Sequence, residues 1–200
     1  MTILSEEEFL ALDPTLGRVE LLDGRLVTGP LLSNSHQRVS SLLASALDGP
    51  AEAAGLLALK GVNVRLRPGR IVIPDVIVAD PADDDEQVLE AWQLTLVAEV
   101  VARDNAQSDL VVKMRCYAEA GIAWYLLVEQ EPPGAVTLRL HRLDGGRYVE
   151  GAKAGPGEAL TLTEPLAVTL DPAALLPWGR GRAVRLGPAQ RSGVMPRGPR

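Results

Sequence analysis

The stretch IVIPDVIVA, residues 71–79, combines an apolar run typical of a buried strand with one acidic residue, Asp75. Isoleucine and valine favour strands because their branched side chains pack well on a pleated surface. Pro74 has no backbone N–H, so the ladder is expected to break just before Asp75. An ionised carboxylate in apolar surroundings is costly unless it is neutralised, paired or bound to a cation. The stretch therefore predicts a buried strand and a specific partner for Asp75.

A second apolar run repeats this pattern further along the chain. LTLVAEVVA, residues 94–102, also predicts a buried strand, and Glu99 is its only acid. Two carboxylates that converge on one place repel each other unless they share a proton or a divalent ion lies between them. Mg²⁺ binds one or two carboxylates and otherwise keeps water or phosphate oxygens as ligands. Asp75 and Glu99 are therefore predicted to bind Mg²⁺ or Mn²⁺.

The next predicted helix places a lysine near this pair. SDLVVKMRCYAEAG, residues 108–121, has Asp109, Lys113 and Tyr117 at intervals of four, which puts them on one stripe of a helix. If this helix packs against the strand that carries Glu99, Lys113 can reach the carboxylates. A cation there could also stabilise the charge that develops on a phosphate during its cleavage.

The remaining sequence predicts further helices and strands. Apolar residues at helical spacing predict a helix from Ser33 to about Leu47. RVELLDGRLV, residues 18–27, predicts a hairpin because Asp23-Gly24 at its centre favours a type I′ turn. Together, the predicted helices and strands indicate a mixed α/β fold, with α+β character and a strand-rich centre.

Length and composition indicate one globular domain. Two hundred residues suffice for one sizeable core, and 46% of them are hydrophobic. We expect residues 1–178 to form this domain and residues 179–200, rich in arginine, glycine and proline, to form a disordered tail. The chain has neither a signal-peptide pattern nor the ~18 consecutive apolar residues of a membrane span. A cytoplasmic protein is expected.

The charge of the chain is unevenly distributed. Residues 179–200 contain six arginines and no acid, so the rest of the chain has 14 basic residues against 26 acidic ones. An acidic body disfavours non-specific binding to nucleic acids, which depends on the neutralisation of phosphates. Four basic residues around one predicted hairpin could form a local basic strip: Lys60, Arg65, Arg67 and Arg70.

Several common enzyme classes lack support in the sequence. The chain contains no G-x-S-x-G nucleophile motif, no H-E-x-x-H zinc motif and no G-x-x-x-x-G-K-[ST] phosphate loop. Cys116 is the only cysteine, which excludes a disulfide within the chain and a zinc site built from cysteines. Metal chemistry at carboxylates is therefore the best supported activity.

The order of these residues resembles that of a known nuclease family, the Uma-type restriction endonucleases of the PD-(D/E)XK superfamily. The similarity spans roughly residues 5–150 and rests on a series of short motifs: Glu20 in VELLDG, His36, Pro74-Asp75, Glu99-Val100, Asp109-x3-Lys113-x3-Tyr117 and the strand AWYLLVE. Membership would imply a restriction-endonuclease-like core, in which a central mixed β-sheet is flanked by helices. It would also imply a Mg²⁺-dependent endonuclease that acts on DNA, and a homodimer that cuts two strands.

The resemblance also implies roles for individual residues. Asp75 and Glu99 would be metal ligands, the Val100 backbone carbonyl a third ligand, and Glu20 an auxiliary acid near the metal. These residues match the family pattern, whereas the loop after Val100 lacks the serine-rich stretch that the family often has.

The position of the catalytic lysine departs from the superfamily pattern. That lysine normally lies two residues after the second acid, where this chain has Val101. The family supplies it from the following helix instead, which makes Lys113 the candidate.

Three of the site residues could also have purely structural roles. Asp75 could end a strand or cap a turn, and Glu20 could form a solvated pair with Arg18 two residues away. Lys113 could form a surface ion pair with Asp109, worth only ~0.3–0.5 kcal/mol.

Two further residues and the protein as a whole allow alternative roles. His36 could be a packing or helix-surface histidine, and Tyr117 could belong to the core. A catalytically inactive nuclease fold that acts as a binding or assembly module is the alternative function. In that case the acids would tolerate substitution by alanine.

Overall fold

A computed structural model shows how these segments fold. It describes residues 3–12, 17–29, 32–81, 83, 85–102, 107–131 and 134–176, with the backbone alone for residues 102 and 107–109. The predicted tail lies outside the described residues, so its disorder and the domain boundary at residue 178 stay predictions.

Three helices lie among a larger number of strands along the described residues. The helices are α1 (Glu6–Leu10), α2 (Asn34–Ala53) and α3 (Gln107–Glu119). The strands are β1 (Val19–Leu22), β2 (Arg25–Thr28), β3 (Leu57–Lys60), β4 (Asn63–Arg67), β5 (Arg70–Val72), β6 (Val76–Ala79), β7 (Val88–Glu90), β8 (Leu94–Ala102), β9 (Trp124–Glu131), β10 (Ala135–Asp144), β11 (Arg147–Ala154), β12 (Leu160–Leu162) and β13 (Val168–Leu170). Short 3₁₀ turns cover Ala91–Gln93 and Pro172–Leu175. In this part of the chain, no helix has the length and apolar character needed to cross a membrane.

Two larger sheets contain most of these strands. The first sheet has the spatial order β2-β1-β5-β4-β7, and the second has the order β11-β10-β9-β8-β6-β3. Both sheets are mixed, because β4 and β7 are parallel in the first and β8 and β9 are parallel in the second, among antiparallel neighbours. β12 and β13 pair separately. The predicted mixed α/β class is confirmed.

The stretch IVIPDVIVA passes from one sheet to the other. Its beginning lies in β5 of the first sheet, and its end forms β6 of the second sheet. Pro74 cannot donate to a ladder, which explains why neither strand extends through it. The sequence predicted the break but not the change of sheet. Asp75 therefore lies at the crossover, directly before β6.

The second predicted strand with an acid, β8, has the predicted bounds and lies next to β6. Val76 of β6 pairs with Ala98 of β8 in antiparallel register. Asp75 precedes Val76 and Glu99 follows Ala98, so the two acids come at the same end of this strand pair. This register brings together two acids that are 24 positions apart in the sequence.

The second sheet is covered on both faces, which explains its apolar strands. On one face, α2 buries four residues at a spacing of four in the main core, namely Val39, Leu43, Leu47 and Ala51. This apolar face extends beyond the predicted end of the helix, so α2 continues through Pro50 to Ala53 despite the lost N–H. The other face packs against α3 and residues of the first sheet, with Tyr117 of α3 fully buried.

The hairpin of β1 and β2 forms as predicted. Asp23 and Gly24 both have positive φ angles, 53° and 78°, as a type I′ turn requires. β1 pairs with β5 on its other side. This pairing places Glu20 of β1 beside the end of β5, where the chain leaves for the second sheet.

Candidate active site

Asp75 is buried and is contacted by three groups from different parts of the chain. Arg18 Nη1 lies 2.6 Å from Oδ1, and His36 Nε2 lies 3.0 Å from the same oxygen. The Val100 backbone N–H donates to Oδ2 at 2.8 Å. Burial raises the pKa of Asp75, but the hydrogen bond from His36 and the charge of Arg18 outweigh it and hold this pKa well below its usual range. Asp75 is therefore an ionised carboxylate.

Glu99 is buried next to two donors from α3. Tyr117 donates its hydroxyl hydrogen to Glu99 Oε1 at 2.5 Å, and Lys113 Nζ lies 3.4 Å from the same oxygen. Burial, opposed by the charge of Lys113 and reinforced by the negative charge of Asp75, raises the pKa of Glu99 to about 7. The two acids therefore have different proton affinities, as expected for neighbouring carboxylates.

Lys113 joins an acid of the first sheet to an acid of the second. Its Nζ lies 3.2 Å from Glu20 Oε1, in addition to its contact with Glu99. Glu20 is only 6% exposed and also accepts a hydrogen bond from the Ile73 backbone N–H at 3.1 Å. The structure thus brings together Glu20, Glu99 and Lys113. The alternative partner of Lys113, the Asp109 side chain, lies outside the described side chains.

Arg18 is the residue that sequence reasoning missed. The sequence suggests that Arg18 forms a solvated pair with Glu20. In the structure, the Arg18 guanidinium instead contacts Asp75 and donates to the Ile73 carbonyl. A signal was present, because Arg18 lies two residues before Glu20 and therefore extends from the same side of the chain at β1. A residue that shares a face with a buried acid is a candidate for the same site.

His36 also belongs to the site, although the sequence favoured a packing or surface role. Ser33 caps α2, and its side chain accepts from the His36 backbone N–H at 3.2 Å. His36 therefore lies in the first turn of α2, where its ring reaches Asp75. Tyr117 has two roles, since it is fully buried in the core and hydrogen-bonds to Glu99.

A cavity of about 480 Å³ opens onto these charged groups. Its polar lining includes Arg18, Glu20, His36, Asp75, Glu99 and Lys113. Apolar side chains complete the wall, among them Val27, Leu32, Val101, Leu110 and Val112. Val101, where the superfamily has its lysine, thus lines the cavity, and Lys113 reaches the same space from α3.

The side chains of this cavity fit a hard divalent cation in their chemistry. Carboxylate oxygens are the ligands that Mg²⁺ prefers, and Asp75, Glu99 and Glu20 supply three carboxylates against the two cations Arg18 and Lys113. The described residues contain no ready-made group of three metal-ligating side chains. Arg18 and Lys113 contact the carboxylate oxygens directly, so a metal ion would compete with them.

The two mixed sheets flanked by helices give this chain a nuclease-like fold. The chain belongs to the Uma2 family, described as putative restriction endonucleases, whose family model matches residues 6–174. The predicted resemblance is therefore confirmed. No curated protein matches the chain.

A solved structure has a similar fold. It is that of a putative nuclease belonging to DUF820 from Anabaena variabilis ATCC 29413, with 15% sequence identity and a TM-score of 0.59. The match covers 78% of this chain and 85% of that chain. It supports the restriction-endonuclease-like class of the fold.

Proposed function

We propose that this protein is a metal-dependent endonuclease that hydrolyses phosphodiester bonds in DNA. The observation that carries the proposal is the meeting of Asp75, Glu99 and Glu20 with Lys113 in one cavity, although these acids come from two sheets and the crossover between them. Three carboxylates meet only two permanent cations here, Arg18 and Lys113. A cluster with surplus carboxylates in an open cavity is better suited to a divalent ion and a phosphate.

Asp75 and Glu99 would hold Mg²⁺ or Mn²⁺, with the Val100 carbonyl as a third ligand and Glu20 as an auxiliary acid. A divalent ion in such a site neutralises phosphate charge and makes a bound water more acidic. The residues of the chain prepare this site. His36 and the Val100 N–H orient the Asp75 carboxylate, and Tyr117 fixes that of Glu99.

Lys113 would supply positive charge where negative charge develops on the cleaved phosphate. Its ammonium group contacts Glu20 and Glu99, at 3.2 and 3.4 Å, so it would stay in the cavity through Glu20 when Glu99 binds the metal. We also propose a homodimer as the working form, because cleavage of both strands of a duplex needs two such sites.

The proposed activity is tested by incubating supercoiled plasmid DNA with the protein and Mg²⁺, Mn²⁺ or EDTA. Nicked or linear DNA is expected with either metal and none with EDTA. Glu99→Gln keeps the shape of the side chain but removes its charge, and it is expected to slow cleavage by roughly 10²–10³-fold. Equal cleavage by the wild type and by Glu99→Gln would contradict the proposal.

Metal binding is expected to displace Arg18 from Asp75. Arg18→Gln should therefore bind Mn²⁺ roughly tenfold more tightly than the wild type, equivalent to about 1.4 kcal/mol. Isothermal titration in the absence of DNA measures this affinity directly. Arg139→Gln is the control, because Arg139 is likewise paired with carboxylates, Glu129 and Glu150, but lies outside the cavity. Unchanged or weaker affinity in Arg18→Gln would show that Arg18 and the metal do not compete.

A binding or assembly module without catalytic activity is the second candidate function. It is favoured by the engagement of Asp75 with Arg18 and His36, which a structural ion-pair network would also produce. This function would be supported if the Glu99→Gln variant binds DNA as the wild type does and if the wild type cleaves DNA with none of the metals.

A further inference from the structure

A cluster of arginines lies on the turns of the first sheet and on α3. Arg67 and Arg70 both contact Asp23, the latter at 2.7 Å. Arg70 Nη1 also lies 3.7 Å from Glu119, which accepts a bond of 2.7 Å from Arg115 Nε. The guanidinium groups of the β4–β5 hairpin and of α3 are therefore linked through two shared carboxylates, Asp23 from the β1–β2 turn and Glu119 from α3.

This arginine cluster carries surplus positive charge. Arg67, Arg70 and Arg115 share the carboxylates of Asp23 and Glu119, and the positive charge of Arg25 also acts on Asp23. The side chains of Arg67 and Arg115 are 50% and 80% exposed. Their guanidinium groups can therefore contact a ligand in solvent. In a chain with a net charge of −6, this is a local region of opposite sign.

The cluster differs from the basic strip that the sequence predicted. Arg65 is engaged by two acids, Glu6 and Glu90. Lys60 donates to Ser41 of α2 at 2.8 Å. Of the four residues of the predicted strip, Arg67 and Arg70 belong to the arginine cluster. The other two arginines of the cluster, Arg25 and Arg115, come from elements that are distant in the sequence.

The arginine cluster adjoins the active-site cavity. A second, smaller cavity of about 270 Å³ is lined by Arg70, Arg115 and Glu119, together with Val112 and Cys116. Val112 and Cys116 line the active-site cavity as well. The two cavities therefore share a wall on α3, with the carboxylates and Lys113 on one side and the arginines on the other.

We propose that the arginine cluster binds the phosphate backbone of duplex DNA on one side of the active site. Guanidinium groups match phosphate geometry and form charge-assisted, often bidentate hydrogen bonds. Because the two cavities share this wall, a DNA strand with one phosphate at Lys113 would continue over Val112 toward Arg115 and Arg67. This inference rests on DNA as the proposed substrate, and it explains how a protein with an acidic body holds a polyanion.

The test measures binding of a short fluorescent duplex DNA by anisotropy in EDTA, where no metal-dependent cleavage occurs. Arg67→Ala/Arg115→Ala is expected to raise Kd roughly tenfold or more near 0.1 M salt. The slope of log Kd against log salt concentration should fall by about 2, since each phosphate contact contributes about 0.9. The control is Arg142→Ala/Lys153→Ala, which removes the same charge from exposed positions on β10 and β11.

A second variant is expected to shift the affinity in the opposite direction. Glu119→Gln releases Arg70 and Arg115 from a carboxylate and should tighten DNA binding several-fold. Because Glu119 is on the surface, this variant is expected to keep the thermal stability of the wild type. Opposite shifts in the two variants, with no shift beyond the general charge effect in the control, would establish the arginine cluster as the DNA contact.

The outcomes separate this inference from the proposed function. If the wild type cleaves DNA but Arg67→Ala/Arg115→Ala binds it like the control, the arginine cluster is not the contact and the nuclease function stands. If the arginines govern binding but no metal supports cleavage, the inference stands and the nuclease function falls. If the wild type does not bind duplex DNA even at low salt, the inference is overturned.

Discussion

Asp75→Asn is expected to abolish the rise in Tm that Mg²⁺ or Mn²⁺ produces in the wild-type protein. A ligand that binds only the native state stabilises it by mass action, by about 2.7 kcal/mol at a hundred times its Kd. Asparagine keeps the shape of the side chain but has no charge with which to hold a divalent ion. Thermal melts with and without metal measure the effect.

The same substitution is also expected to lower stability without metal. Arg18 would lose the carboxylate that neutralises it, and breaking a buried ion pair typically costs ~3–5 kcal/mol. Because Arg18 is 19% exposed, the lower part of this range is expected. A loss of stability alone therefore does not distinguish a metal ligand from a structural partner.

The double variant Arg18→Gln/Asp75→Asn separates these two roles. It removes both charges, so it should regain most of the stability without metal and still show no metal response. If either variant keeps the metal-dependent rise in Tm, Asp75 is not a metal ligand and the binding-module function gains support.

Lys113→Met is expected to slow DNA cleavage by roughly 10²–10⁴-fold while the Tm rise with metal is retained. Methionine keeps the long apolar stem of the side chain but removes the charge that would stabilise the cleaved phosphate. The loss of a cation from Glu20 and Glu99 should not weaken metal binding. Plasmid cleavage rates and thermal melts on the same samples measure the two effects.

Lys60→Met is the control for this experiment, since Lys60 contacts polar groups of α2 and does not line the active-site cavity. It should cleave DNA like the wild type. Loss of both cleavage and the metal response in Lys113→Met would mean that Lys113 maintains the site structurally. Unchanged cleavage would exclude it as a catalytic residue.

The acids of the site could be predicted from the sequence because each interrupts an apolar run. Burial of an ionised group demands a partner, so Asp75 and Glu99 stand out without knowledge of the fold. Lys113 could be predicted because helical spacing places it on one stripe with Tyr117. These inferences use only local periodicity and the cost of burying charge.

Arg18 and His36 could not be predicted in the same way. Arg18 lies 57 positions from Asp75 in the sequence, and the contact depends on how β1 meets the crossover after β5. His36 reaches Asp75 only because α2 crosses the second sheet with its first turn above that crossover. Both contacts are set by the arrangement of the sheets.

The strands were more predictable than the sheets that contain them. β8 has the predicted bounds because its apolar run is continuous, and its side chains from Leu96 to Val100 are buried on both faces. The division into two sheets at Pro74 was not predicted, since an apolar pattern records burial and not the neighbour of a strand.

The position of the acids at the junction of the two sheets has a consequence for the chain during synthesis. Glu20 comes from the first sheet, Glu99 from the second, and Asp75 from the crossover between them. No hairpin or single sheet contains the whole set. A chain emerging from the ribosome thus has no complete cluster of these acids until α3 has been made and the two sheets have closed on each other. If the proposed nuclease function holds, the growing polypeptide cannot cleave the nucleic acids that surround it.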